Sequence, residues 1–87
     1  MRKRLIVHGA VQGVFFRHTA RRRAGDLGVA GWIRNCPDGT VEAVVEGEPG
    51  AVEAMVRLCR EGPEGARVDR VDERDEPPEG LERFEVR

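Results

Sequence analysis

Val29-Ala30-Gly31-Trp32-Ile33-Arg34-Asn35 and Thr40-Val41-Glu42-Ala43-Val44-Val45-Glu46 flank a four-residue turn, Cys36-Pro37-Asp38-Gly39. The second run alternates: Val41, Ala43 and Val45 point one way, Glu42 and Glu46 the other. That period of two marks a half-buried strand. An Asp-Gly pair between two such runs is a strong hairpin signal, because glycine supplies the backbone angles that a tight reversal needs. Trp32 is read as the main apolar payload of the first strand, a core or structural residue and not a stacking platform.

Outward from this hairpin, each side carries a helix and then a strand. Upstream, His18 to Leu27 reads as a helix, with Phe16, Ala20, Ala24 and Leu27 at core-facing spacing and Gly28 as its stop. Before it, Lys3 to His8 reads as a strand with Leu5 and Val7 on one face and Ile6 on the other. A run apolar on both sides predicts a central position. Downstream, Pro49 suits a first helical residue. Val52, Met55, Val56 and Cys59 then fall at i, i+3, i+4 and i+7, and Gly62-Pro63 ends the helix. Arg67 to Arg74 forms a charge-rich strand around Val68 and Val71. Glu73 to Glu79 reads as a solvated rim, and Leu81 to Val86 as a short final strand with Phe84 and Val86 inward. The order βαββαβ plus a short C-terminal strand predicts an α+β fold of ferredoxin-like type: an antiparallel sheet with two helices on one face.

The chain has 87 residues, which is one domain spanning 1–87. No apolar run nears the roughly 20 residues needed to cross a bilayer, and no signal-peptide pattern opens the sequence; a cytoplasmic monomer without membrane contact is expected. Fifteen basic residues face sixteen acidic ones, for a net charge of -1. That balance argues against a nucleic-acid binder. Cys36 and Cys59 form no CxxC, and no His/Cys cluster has zinc spacing, so neither a metal nor a cofactor is expected.

Between the first strand and the first helix lies Gly9-Ala10-Val11-Gln12-Gly13-Val14-Phe15-Phe16-Arg17. Glycines let consecutive amides curl into a concave nest that attracts anions. The helix start behind it adds unpaired N–H groups and a positive dipole end. Arg17 adds a planar fork suited to paired oxygens. Together these residues predict a phosphate pocket. A second cluster, Gly31-Trp32-Ile33-Arg34-Asn35 followed by Gly39-Thr40-Val41, ends a strand with an amide side chain. Spacing leaves open whether Asn35 lies at the same end of the sheet as Arg17.

With both clusters in hand, the sequence resembles the acylphosphatase family over essentially its whole length. Ile33 is slightly larger than the small apolar residue usual there. The resemblance implies hydrolysis of the carboxyl–phosphate bond of acyl phosphates, with acetyl phosphate, carbamoyl phosphate and 1,3-bisphosphoglycerate as candidates. It implies that Arg17 binds the phosphate and that Asn35 positions the attacking water. It also implies that the amides of Val11, Gln12, Gly13, Val14, Phe15, Phe16 and Arg17 cradle the phosphoryl oxygens. Phosphate or sulfate is then a product-like ligand.

The chemistry is consistent with so sparse a site. The leaving carboxylate has a conjugate acid of pKa about 4, so it departs without a proton. A loose phosphoryl-transfer state needs little activation of the nucleophile. Charge stabilisation and alignment of one water remain. Other residues take plainer readings. His18 belongs to the rim, His8 to a strand, and Arg21-Arg22-Arg23 to a solvated helix face. No arginine stands six residues after either cysteine, which removes a Cys-x5-Arg phosphatase. GxxxxGK[ST] and GxGxxG are both missing. The alternatives are a non-catalytic anion-binding module on the same fold and an RNA-binding module, whose aromatic signature and basic charge are lacking.

Overall fold

The computed structural model describes every residue, Met1–Arg87. Seven elements follow in order: β1 (Arg2–Ala10), α1 (Phe16–Leu27), β2 (Ala30–Asn35), β3 (Val41–Glu46), α2 (Pro49–Glu61), β4 (Arg67–Glu76) and β5 (Phe84–Val86). They build one five-stranded sheet in the order β4-β1-β3-β2-β5. β1 pairs antiparallel with both β3 and β4, and β2 antiparallel with β3. The result is two interleaved split βαβ units, in which β3 separates β1 from β2 and β1 separates β3 from β4.

The ferredoxin-like architecture is as the sequence predicts, with one correction to the sheet. It is mixed, not antiparallel throughout, because β5 runs parallel to β2, with Gly31 opposite Phe84 and Ile33 opposite Val86. β5 is also shorter than the Leu81–Val86 expected. The amides of Glu79, Gly80 and Leu81 are bound to the Glu46 carboxylate at 2.9, 2.8 and 2.9 Å, so that segment is a loop. β4 runs on to Glu76, placing Glu73 and Glu76 in the sheet, not in a loop rim.

The core lies between the helices and one sheet face. Leu5, Val7, Ile33, Val41, Ala43 and Val45 meet Phe16, Ala20 and Ala24 of α1 and Val52, Met55 and Cys59 of α2. Burying one such large aliphatic side chain contributes about 1.5–3 kcal/mol. Val68 and Val71 both pack on this side although three residues apart. A bulge explains it: the register shifts between His8 and Gly9, leaving Asp69 unpaired. Gly31 is needed where β2 meets β3, since a Cβ there would lie 1.8 Å from the Val44 carbonyl oxygen.

Strand parity corrects the reading of Trp32. Ile33 is fully buried in the core, so its neighbours Trp32 and Arg34 point to the opposite face. That face carries an ion-pair ladder. Arg4 binds Glu42 at 2.5 Å and Glu76 at 2.7 Å, Arg34 binds Glu42 at 2.7 Å, and Arg2 binds Glu76 at 3.0 Å. Arg4 and then Arg2 hold the Glu76 carboxyl below its usual range. Burial acts to raise Glu42, but Arg34 and Arg4 bring it below its ordinary value. On the helix side, Arg60 of α2 and Lys3 of β1 pair with Glu73 of β4. Burial alone pushes the Cys59 thiol up to about 12, which makes it an inert core residue.

Candidate active site

The pairing pattern brings the two sequence motifs together. Antiparallel pairing sets the end of β1 beside the start of β3, with Val7 opposite Val41. It then sets the start of β3 beside the end of β2, with Val41 opposite Asn35. The loop leaving β1 and the last residue of β2 therefore share one end of the sheet. Asn35 has the parity of Ile33 and faces the helix side, toward the start of α1.

Here a cavity of about 370 Å³ opens, lined by Val11, Gly13, Phe15, Phe16, Arg17, His18, Arg21, Asn35 and Val86. Its size suits a small ligand. No main-chain amide from Val11 to Phe15 donates to a main-chain carbonyl; the first bond of the helix is Thr19 N to Phe15 O at 2.9 Å. Gly13 (φ 75°) and Phe15 (φ 59°) both take left-handed backbone, curling these amides inward. Phe15 is the only residue other than glycine with positive φ, a conformation costing on the order of 1–3 kcal/mol. Its ring is 80% exposed, so no burial offsets that strain.

The start of α1 departs from the usual rules for a helix N-terminus. It has no side-chain cap and no acidic residue in its first turn. Arg17 stands there instead, where a cation opposes the helix dipole. A helix start of this kind is suited to an anion from outside. Arg17 is half-buried, and its Nη1 donates to the main-chain oxygen of Arg87 at 2.7 Å. It makes no other hydrogen bond, so the rest of its fork is available to a ligand.

Of the other predicted phosphate-binding residues, Phe16 packs into the core and fixes the helix start. Val14 packs against the core and does not line the cavity, so its part rests on its main chain. Gln12 turns its side chain away, donating to the carbonyls of Cys36 at 2.8 Å and Thr40 at 2.9 Å. It staples the loop to the β2–β3 hairpin. That hairpin is set in turn by Asp38, which accepts from the Thr40 hydroxyl at 2.6 Å and the Thr40 amide at 3.0 Å. These two bonds hold the Asp38 carboxyl below its usual range. His18 sits at the exposed rim, as expected, and no group of three or more His, Cys, Asp and Glu side chains is placed to hold a metal ion.

Three contributors escaped sequence reasoning. Val86, expected inward, is 39% exposed and forms part of the cavity wall. Arg87 meets Arg17. Glu46, read only as an outward strand residue, is buried and anchors the loop that leads to both. The amides of Glu79, Leu81 and Gly80, together with Arg2, hold its carboxyl below the usual range. An alternating glutamate gives no sequence sign of such partners.

A sequence model of the acylphosphatase family matches residues 3–86. The chain belongs to the acylphosphatase family. It is 60% identical to the acylphosphatase of Rubrobacter xylanophilus over 99% of this chain and 79% of that protein. Among solved structures, the acylphosphatase of Bacillus subtilis superposes with a TM-score of 0.92 at 34% identity, covering 98% of this chain and 96% of the other. That of Coxiella burnetii superposes with a TM-score of 0.94 at 36% identity, covering 99% and 90%. The chain is thus an acylphosphatase-family hydrolase, acting on the carboxyl–phosphate bond of acyl phosphates. No helix is long and apolar enough to cross a membrane.

Proposed function

We propose that Arg17 and the curled amides of residues 11–17 hold the phosphoryl group, and that Asn35 aligns a water for in-line attack, without a metal. The phosphoryl oxygens take the open N–H groups of the loop, and the free part of the Arg17 fork spans two of them. As the bond to the carboxylate lengthens, charge spreads over the equatorial oxygens, facing donors already in place. The water enters opposite the leaving group, its orientation fixed by the Asn35 carboxamide. The carboxylate leaves unprotonated. One observation supports this reading above the rest: unbonded amides, an arginine and a strand-end carboxamide line a single cavity.

The acyl portion extends past Phe15 and Val86 toward solvent, which favours breadth in the acyl group. The same reading takes residues 1–87 as one domain, acting as a cytoplasmic monomer on small acyl phosphates, with phosphate or sulfate as product-like ligands and no nucleic-acid partner. Release of phosphate from acetyl phosphate, with and without a chelator, tests the mechanism. Turnover is expected to persist in the chelator, with free phosphate inhibiting competitively. Loss of turnover in the chelator would replace the metal-free step with a metal-assisted one.

A further inference from the structure

Trp32 lies on the sheet face away from the helices, between two guanidinium groups. The Arg87 guanidinium carbon is 4.7 Å from the ring centroid and that of Arg4 is 5.5 Å away. Arg4 is itself locked by Glu42 and Glu76. Arg87 follows directly on β5, a three-residue edge strand with one neighbour. So short an edge strand fixes the main chain after it poorly. Four attachments hold Arg87. Its side chain stacks on Trp32 and pairs with Glu85 at 3.6 Å, its amide donates to the Ile33 carbonyl at 2.8 Å, and its main-chain oxygen accepts from Arg17 at 2.7 Å.

We propose that Trp32 and Arg87 are positioning residues for Arg17: the indole fixes Arg87, and the Arg87 main-chain oxygen fixes the guanidinium that receives phosphate. This rests on the reading of Arg17 as the phosphate ligand. A long, flexible side chain loses rotamer freedom when it binds. Tethering one nitrogen beforehand lowers that cost while leaving the other donors free. The benefit falls equally on bound substrate and transition state, so it belongs to KM more than to kcat.

The test uses Trp32→Leu, Trp32→Phe, Arg87→Gln and the Leu/Gln double variant, each checked by thermal melting. Calorimetry gives the Kd for inorganic phosphate, and benzoyl phosphate gives KM and kcat. A cation–π contact at an exposed site is equivalent to about a two- to five-fold effect. Trp32→Leu and Arg87→Gln are each expected to raise Kd and KM by that factor, with a smaller change in kcat. The double variant is expected to be no worse than either single one. Trp32→Phe, which keeps a π face, is expected to restore most of the loss. Arg87→Gln keeps the main-chain oxygen and removes only the exposed contacts to Trp32 and Glu85, so it gives a result even if Trp32→Leu fails to fold. Unchanged Kd and KM in Arg87→Gln, additive losses in the double variant, or a fall in kcat with KM constant would each overturn the proposal. If Arg17→Ala binds phosphate as tightly as the parent, the assignment of Arg17 fails, and the positioning role with it.

Discussion

Between Glu79 and Leu81, three consecutive amides close on the Glu46 carboxylate at 2.9, 2.8 and 2.9 Å. Between Val11 and Phe15, a similar run of amides closes on nothing within the main chain. The geometry is related, since Gly80 takes φ 79° and Gly13 takes φ 75°. The difference is where the anion comes from. The first nest is filled by a residue of the same chain and serves stability. In the proposed reading the second receives a solute, beside a strained Phe15 and with Arg17 in the first turn of α1. The two are also connected. The filled nest fixes the loop into β5, β5 leads to Arg87, and Arg87 meets Arg17 in the open one.

The largest expected effects come from breaking the open nest. In the proposed reading, Arg17→Ala removes the guanidinium that takes the phosphoryl oxygens within the cradle. Removing a single preorganised donor lowers kcat by about 10²–10³. Arg17→Ala is expected to exceed that in kcat/KM and to abolish phosphate binding measured by calorimetry. Asn35→Ala is expected to fall within that range in kcat while phosphate still binds. Near-normal turnover in both would show that the cavity is not where the chemistry occurs.

The filled nest shows where sequence reading stops. The hairpin at Asp38-Gly39, the period of α2 and the glycine loop before α1 are local signals, carried by residues within a few positions of one another. They sufficed for the fold and for proposing Arg17 and Asn35 as site residues. That the two converge depends on β1 pairing with β3, a contact between residues some 34–44 apart in sequence, for which one sequence holds no local mark. The parallel pairing of β5 was hidden for the same reason. Trp32 was misplaced because bulk was taken as a sign of the core, whereas parity against Ile33 and two flanking arginines put it on the charged face.

Glu46→Gln probes the filled nest. Glutamine offers one acceptor oxygen where three amides and Arg2 converge, and its NH₂ would face another donor. Leaving buried donors unpaired costs about 1–3 kcal/mol. In a domain of this size each kcal/mol lowers Tm by roughly 4–8 °C. Turnover should suffer far less than in Arg17→Ala, through looser placement of Arg87. The pH dependence has a defined sign. The Glu46 carboxyl titrates below its usual value near 4.5 in the folded protein. Its contribution is therefore complete above that value. It is lost as pH falls through the folded pKa, because the unfolded chain takes up the proton first. Melting followed from pH 7 to pH 3 should show Tm dropping on the acid side, with a shallower drop in Glu46→Gln. Identical slopes would mean that other lowered carboxyls, such as Asp38 and Glu76, carry the acid response.

The smallest expected effect distinguishes the two nests in one experiment. An anion that binds only the folded protein stabilises it by RT ln(1 + [L]/Kd), about 1.4 kcal/mol at ten times Kd. Sulfate should therefore raise the Tm of the parent by several degrees. Glu46→Gln should start lower and gain the same increment, since its open nest is intact. Arg17→Ala should start near the parent and gain nothing beyond what general salt produces, which an equal ionic strength of chloride measures. If sulfate instead rescued Glu46→Gln preferentially, the amides of Glu79–Leu81 would be the solute site. The division between an internal anion and an external one would then be reversed.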